Sequence, residues 1–341
     1  MSFTENKLTV RSSADLAAAV PYLLGFHPSD GSIVVIASRE RRIVFAARGD
    51  LPTPAHLLRE FTVHLVPVVQ RQQPITDLVL VGYGMPEHLD PALRIVGDAF
   101  TTAGLTVREM LRVTEARIFS LTCDDRSCCP PDGIPFDPTA SLVAVQATVA
   151  GLVARPDRAA VARRLTPDYS GRDSIRDATN TATTRMEALI TTGSTAVFEA
   201  GVLAVRDALR QHDNGARLTD DEVAWLSVLL TDRAVRDLAV DLTQPHEQHI
   251  TFWAEITRRA HTPLVAAPAT VLALTAWRCG DGVLAVMAAE HALQINPDYQ
   301  LAHLVLHALQ AGLPPTAIEE AITRTHHSPS TRNPNHPYDQ E

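Results

Sequence analysis

The sequence predicts a mixed α/β, or α+β, fold in two parts. Residues 1–137 form a small N-terminal mixed sheet with helices. Residues 138–324 form an all-helical domain ending in a tetratricopeptide-like helix pair over 266–322. Three observations carry this. β-branched and apolar runs crowd the chain before residue 123. From about residue 139 they give way to long Ala- and Leu-rich amphipathic stretches. Near the C-terminus a Gly-Asp turn, small residues and a proline fall at tetratricopeptide spacing.

The elements follow in order. Ser12 to Asp15 reads as a capping box opening a short helix that stops around Pro21 and Gly25. The β-branched runs 32–37 and 42–47 predict a hairpin. Leu57, Leu58, Phe61, Leu65 and Val69 recur at helical spacing, so 54–72 is a helix with Pro67 as a kink point. The apolar run 78–81 suits a strand buried on both faces. Asp90 before Pro91 reads as an N-cap with proline in the first turn, and Gly104 as the stop. Two more strands, 106–113 and 117–122, complete the sheet. Helices are then expected over 141–155, 158–164, 196–212, 220–242 and 249–261, with a polar loop over 166–180. In 272–297 the residues Leu272, Gly280, Asp281, Ala285, Ala292 and Pro297 mark the repeat, and a partial second unit over 301–322 packs behind it. One repeat cannot bury its own face, so it packs on the preceding helices or meets a partner, packing being preferred. Residues 325–341, rich in Ser, Pro, Asn and His, read as a disordered tail.

Composition excludes several classes. The 341 residues carry a formal charge of −9 with no basic block, against a nucleic-acid surface. Four cysteines are too few for a disulfide scaffold. The N-terminus lacks the apolar core of a signal peptide, and the longest apolar stretch, 263–277, is too short for a bilayer and contains Pro268. A cytoplasmic protein with reduced thiols and no membrane partner is expected. Lys7 is the only lysine among 30 basic residues; the scattered arginines read as GC-rich codon usage.

Leu23 to Pro28, the strand residues 33–35, Ala47, Arg48 and 50–52 form one signature. Cys123, 128–131 and Gly133 form a second, and 280–282, Ala285, Ala292, Leu293, Pro297, Tyr299, Leu301 and Ala302 a third. Together they resemble an uncharacterised family of high-GC Gram-positive bacteria, domain of unknown function 4192. The resemblance spans nearly the whole chain and implies no activity. Members of that family often carry a large aromatic just before the first central cysteine; here Ile118 and Phe119 stand there and are expected to be core.

The strongest local constellation is Cys123, Cys128 and Cys129 within 123–131. Three reduced thiols suit a soft metal such as zinc with a fourth ligand from elsewhere, although adjacent cysteines rarely both reach one tetrahedral ion. A reversible Cys123–Cys128 disulfide, with Arg126 lowering a thiol pKa, is a second reading. The preferred third is a proline-stiffened turn with buried thiols. His27 and Asp30, with Arg48 and Asp50 returned by the hairpin, gather hydrolase-like residue types but lack a nucleophile elbow. A polar connector is the preferred reading there. Gly82, Tyr83 and Gly84 follow a strand as a phosphate loop does, without the third glycine or the lysine. His246 and His249 miss the i, i+4 spacing of a zinc helix. Trp225, Trp253 and Trp277 read as core. His326, His327 and His336 would bind metal only adventitiously.

These residues suggest a non-catalytic binding or regulatory protein. Its helical half would meet a protein partner, and its α/β half would hold a small ligand. The alternative is a thiol-dependent redox sensor, metal-binding protein or enzyme working through the three cysteines, with His27 and Asp30 as acid–base groups. No cofactor beyond the candidate soft metal is implied, and the oligomeric state is open.

Overall fold

The computed structural model describes residues 10–40, 42–52, 55–72 and 74–316. The expected tail, with its three histidines, and residues 317–322 of the second helical unit lie outside the described residues. Helix α1 (Ser13–Leu24) is capped by Ser12, whose hydroxyl accepts the Asp15 N–H at 3.1 Å. Pro21 does not stop it: the helix runs through this buried proline to Gly25, whose left-handed conformation (φ 78°) ends it.

Strands β1 (Ser32–Arg39) and β2 (Arg42–Asp50) form the expected antiparallel hairpin. Helix α2 (Leu58–Gln70) precedes strand β3 (Asp77–Tyr83), which pairs antiparallel with β1. Helix α3 (Pro86–Thr102) crosses over to β4 (Val107–Thr114), parallel to β3. Asp90 is therefore no N-cap. The helix starts five residues earlier because Pro86, with its preset φ and missing N–H, fits the first helical position. The Asp90 carboxylate is turned instead to Arg112, at 2.5 and 2.7 Å. Strand β5 (Arg117–Ser120) and the two-residue β6 (Ile134–Pro135), too short to leave an alternation in the sequence, finish a six-stranded mixed sheet of order β2-β1-β3-β4-β5-β6.

The rest is helical: α4 (Leu142–Val149), α5 (Arg158–Ala162), α6 (Arg172–Thr192), α7 (Ser194–Asp213), α8 (Asp220–Leu229), α9 (Arg233–Leu242), α10 (Glu247–Arg259), α11 (Ala266–Arg278), α12 (Gly282–Ile295) and α13 (Gln300–Gln310). Two expectations are corrected. Of the polar stretch 166–180 expected to hold a loop, 166–171 is one, but 172–180 opens α6, whose Ile175, Ala178, Thr179 and Ala182 make a narrow buried stripe. The single helix expected over 220–242 is two, because Asp232 accepts the N–H groups of Ala234 and Val235 and opens α9. The helix pair α11–α12 packs closely, Asp281 capping α12 through the Leu284 N–H at 3.0 Å.

Both faces of the sheet are covered. Ile33, Val35, Leu78 and Leu80 pack in one cluster with α2 and α3. Val34, Ile36, Val81, Leu111 and Ile118 lie in a second cluster that continues through α1 into Val223, Trp253, Leu272 and Ala285 of the helices. The chain end returns to the sheet side: Arg71 donates to Ala311 O at 2.8 Å and Gln72 to Gly312 O at 2.5 Å. Trp253 and Trp277 are buried, whereas Trp225 is half-buried under the Arg185 guanidinium. Among the described residues no helix is long and apolar enough to cross a membrane.

Candidate functional site

The cysteine loop leaves the end of β5. Ser120 Oγ accepts the Cys123 N–H at 3.2 Å, and Asp125 O accepts the N–H groups of Cys128 (3.3 Å) and Cys129 (2.8 Å). Asp125 Oδ1 closes the turn on Ser127 N (2.9 Å) and Oγ (2.7 Å), hydrogen bonds that hold this carboxyl below its ordinary pKa. Gly133 (φ 72°) lies against Phe119, where a Cβ would come within 2.7 Å of the ring. The result is convergence. Cys123 Sγ stands 3.3 Å from Cys128 Sγ, Cys128 Sγ 3.6 Å from Cys129 Sγ, and all three lie within 4.8 Å of one another. Three sulfurs at about 2.3 Å from one tetrahedral ion would be about 3.8 Å apart, so adjacency of Cys128 and Cys129 does not keep either sulfur away.

These thiols are not core groups. Cys128 is exposed, Cys123 and Cys129 are half-buried, and all three line a cavity of about 730 Å³. Ser13, Glu109, Arg112 and Arg126 line it too. The Cys123 thiol is held below its ordinary pKa, first by the S–H groups of Cys128 and Cys129 and then by the Asp125 backbone, rather than by Arg126. Cys128 is raised by its neighbour Cys123, and Cys129 is pushed up to about 12. One thiolate is favoured among three sulfurs. Ile118 is core as expected, whereas Phe119 is half-buried and carries the Arg112 guanidinium 4.2 Å from its ring centre.

The hairpin does bring Arg48, Asp50 and Ser32 together. Arg48 donates to Ser32 Oγ from Nε (3.1 Å) and Nη2 (2.8 Å) and to Asp50 Oδ1 at 2.5 Å. Ser32 Oγ in turn donates to Ser29 O at 2.6 Å. That hydroxyl is fully engaged, so the group clasps the start of β1 to β2. His27 and Asp30 stand apart. Burial lowers the His27 pKa, Asp30 is exposed, and among the described residues no hydrogen bond or ion pair joins either side chain to Arg48 or Asp50. At the end of β3 the amides are committed as well: Gly84 N–H to Val113 O at 3.1 Å, and Gly31 N–H to Tyr83 O at 2.8 Å. Gly82 makes room for Leu89, 2.7 Å from where a Cβ would be, and Tyr83 buries its hydroxyl with no hydrogen-bond partner among the described residues; burial raises its pKa. His249 is engaged by Gln244 N–H and Asp213, at 2.8 and 3.2 Å.

Sequence reasoning missed a cavity of about 820 Å³ between β2, the end of α1 and the α11–α12 turn, walled by Phe26, Phe45, Arg48, Trp277 and Val283. Its walls lie over 200 residues apart in the chain, so no local signal marks it. A family model described as a domain of unknown function (DUF4192) matches residues 14–316. No curated protein and no solved structure matches the chain.

Proposed function

The chain belongs to the family described as domain of unknown function (DUF4192), and from that premise we propose that it is a metal-binding protein. It holds one soft ion such as zinc at Cys123, Cys128 and Cys129. The family description carries no activity, so the reading rests on one observation: three sulfurs within 4.8 Å of one another on a cavity wall. Soft thiolate ligands select ions of this class, and three of them leave a coordination position open. The cavity provides room for a fourth ligand beside the thiols. This takes up the alternative reading of the sequence, a metal-binding protein working through the three cysteines, rather than the partner-surface reading preferred there.

A second reading is favoured by the Cys123–Cys128 pair at 3.3 Å. Closing by about 1.3 Å would reach disulfide length, the two thiols giving two protons and two electrons to an oxidant such as a peroxide.

Native mass spectrometry with stoichiometric zinc, with and without reductant, tests both. The expected result is one zinc per chain, with protons displaced, that Cys128→Ser removes while the Tm stays nearly unchanged. A two-dalton loss without reductant that blocks zinc uptake supports the second reading. An apo mass with free thiols under both conditions overturns both.

A further inference from the structure

We propose that the helical half carries a second binding site, for a small phosphorylated anion of the diphosphate or sugar-phosphate class, in an arginine-walled pocket on α10. The site is independent of the thiol loop.

The pocket measures about 380 Å³, at the small end for ligand sites. Its floor is one face of α10, where Thr251, Ala254, Glu255 and Arg258 follow at i, i+3, i+4 and i+7. Arg155 and Arg164 wall one end, from the segments flanking α5, and Arg217 and Arg259 the other. Arginines scattered through more than a hundred residues of sequence meet here. Within the wall five guanidinium groups face two carboxylates, Asp168 and Glu255.

Two of the carboxylates present are each shared between two arginines. Glu247 Oε1 lies 3.3 Å from Arg155 Nη2 and 2.9 Å from Arg164 Nη2. Glu255 Oε1 lies 2.8 Å from Arg217 Nε and 3.0 Å from Arg259 Nη1. Glu247, Asp220, which pairs with Arg259 at 2.8 Å, and the buried Asp281 beside Arg164 bring the local charges to balance, so an anion is drawn by open guanidinium donors rather than by net charge. Arg258 donates through Nε to Thr166 O at 2.8 Å, and among the described residues no carboxylate reaches it within ion-pair distance. Its two terminal nitrogens are the donors left for a ligand.

Two of the walls are rigid: the Arg164 and Arg259 side chains are only 11% and 9% exposed. Guanidinium forks held in place match phosphate oxygens two at a time. Among the described residues no aromatic ring lines the pocket, so nothing there is offered to a nucleobase. The chain's charge of −9 and the confinement of the arginines to one pocket disfavour a polyanion.

Calorimetry of the full chain with inorganic pyrophosphate at low ionic strength tests the site. One saturable equivalent is expected, weakened at least tenfold by Arg258→Ala and by Arg217→Ala. Arg217 is 68% exposed, so its loss does not endanger folding if Arg258→Ala does. Arg94→Ala, at an exposed position on α3 across the sheet, is expected to bind as the parent does. Cys128→Ser is expected to leave this binding intact. No saturable heat from the folded parent, or an equal loss in Arg94→Ala, overturns the proposal.

Discussion

Cys123 is the sulfur on which the loop's reactivity turns. Hydrogen bonding with the Cys128 and Cys129 side chains holds its thiol below the ordinary pKa, while Cys128 and Cys129 are raised. With limiting iodoacetamide near neutral pH, peptide mapping is expected to find Cys123 alkylated first and Cys129 last. Equal labelling would mean that the sulfurs do not share a proton. Asp281 offers a second test. Burial raises its carboxyl pKa, so its contribution to stability is present below the unfolded value and lost as pH rises through the folded one. Asp281→Asn keeps an oxygen for the Leu284 N–H. It is therefore expected to raise the Tm at neutral pH and to match the parent in acid, by calorimetry across pH. A lower Tm at neutral pH would mean that attraction to Arg164 outweighs burial. The cysteine cluster was legible in the sequence because its three sulfurs lie within seven residues. The arginine pocket was not, because Arg155 and Arg259 meet only through the fold.

Elements were legible where their apolar pattern is strong. The run of β3 announces a strand covered on both sides, and the structure covers both sides of it and of its neighbour β1. Helix α6 was hidden by its own chemistry: Thr179 and Thr183 return their hydroxyls to the carbonyls of Ile175 and Thr179, at 2.7 and 2.8 Å, so a polar stretch satisfies itself within a helix. Its buried stripe packs on α8, and Ile175→Ala is expected to cost about 2–4 kcal/mol by urea denaturation. Gly201 on α7 shows an element constrained by its neighbour. Gly-to-Ala in an exposed helix gains about 1 kcal/mol. Here the added Cβ would stand 2.3 Å from Val235 Cγ2, on α9. Gly201→Ala is expected to lose about 1–3 kcal/mol by the same measurement, and a gain would mean that α7 and α9 shift apart freely.

At the scale of the molecule, one apolar cluster joins the sheet to the helices. Far- and near-ultraviolet dichroism are therefore expected to report one coincident thermal transition. A fragment of residues 1–140 keeps Val34, Val81 and Ile118 but loses most of the residues that cover them, and light scattering is expected to show it aggregating. A monomeric fragment with an intact sheet would show that α1 alone suffices. The clasp of Arg71 and Gln72 on Ala311 and Gly312 bears on how such a chain comes into being. A ribosome finishes the sheet long before the helices that cover it, and at about 5–20 residues per second the uncovered face waits on the order of ten seconds. During that wait the uncovered apolar face of the nascent chain is open to aggregation. A ribosome that stalls before the last helix releases a sticky intermediate rather than a shorter working protein.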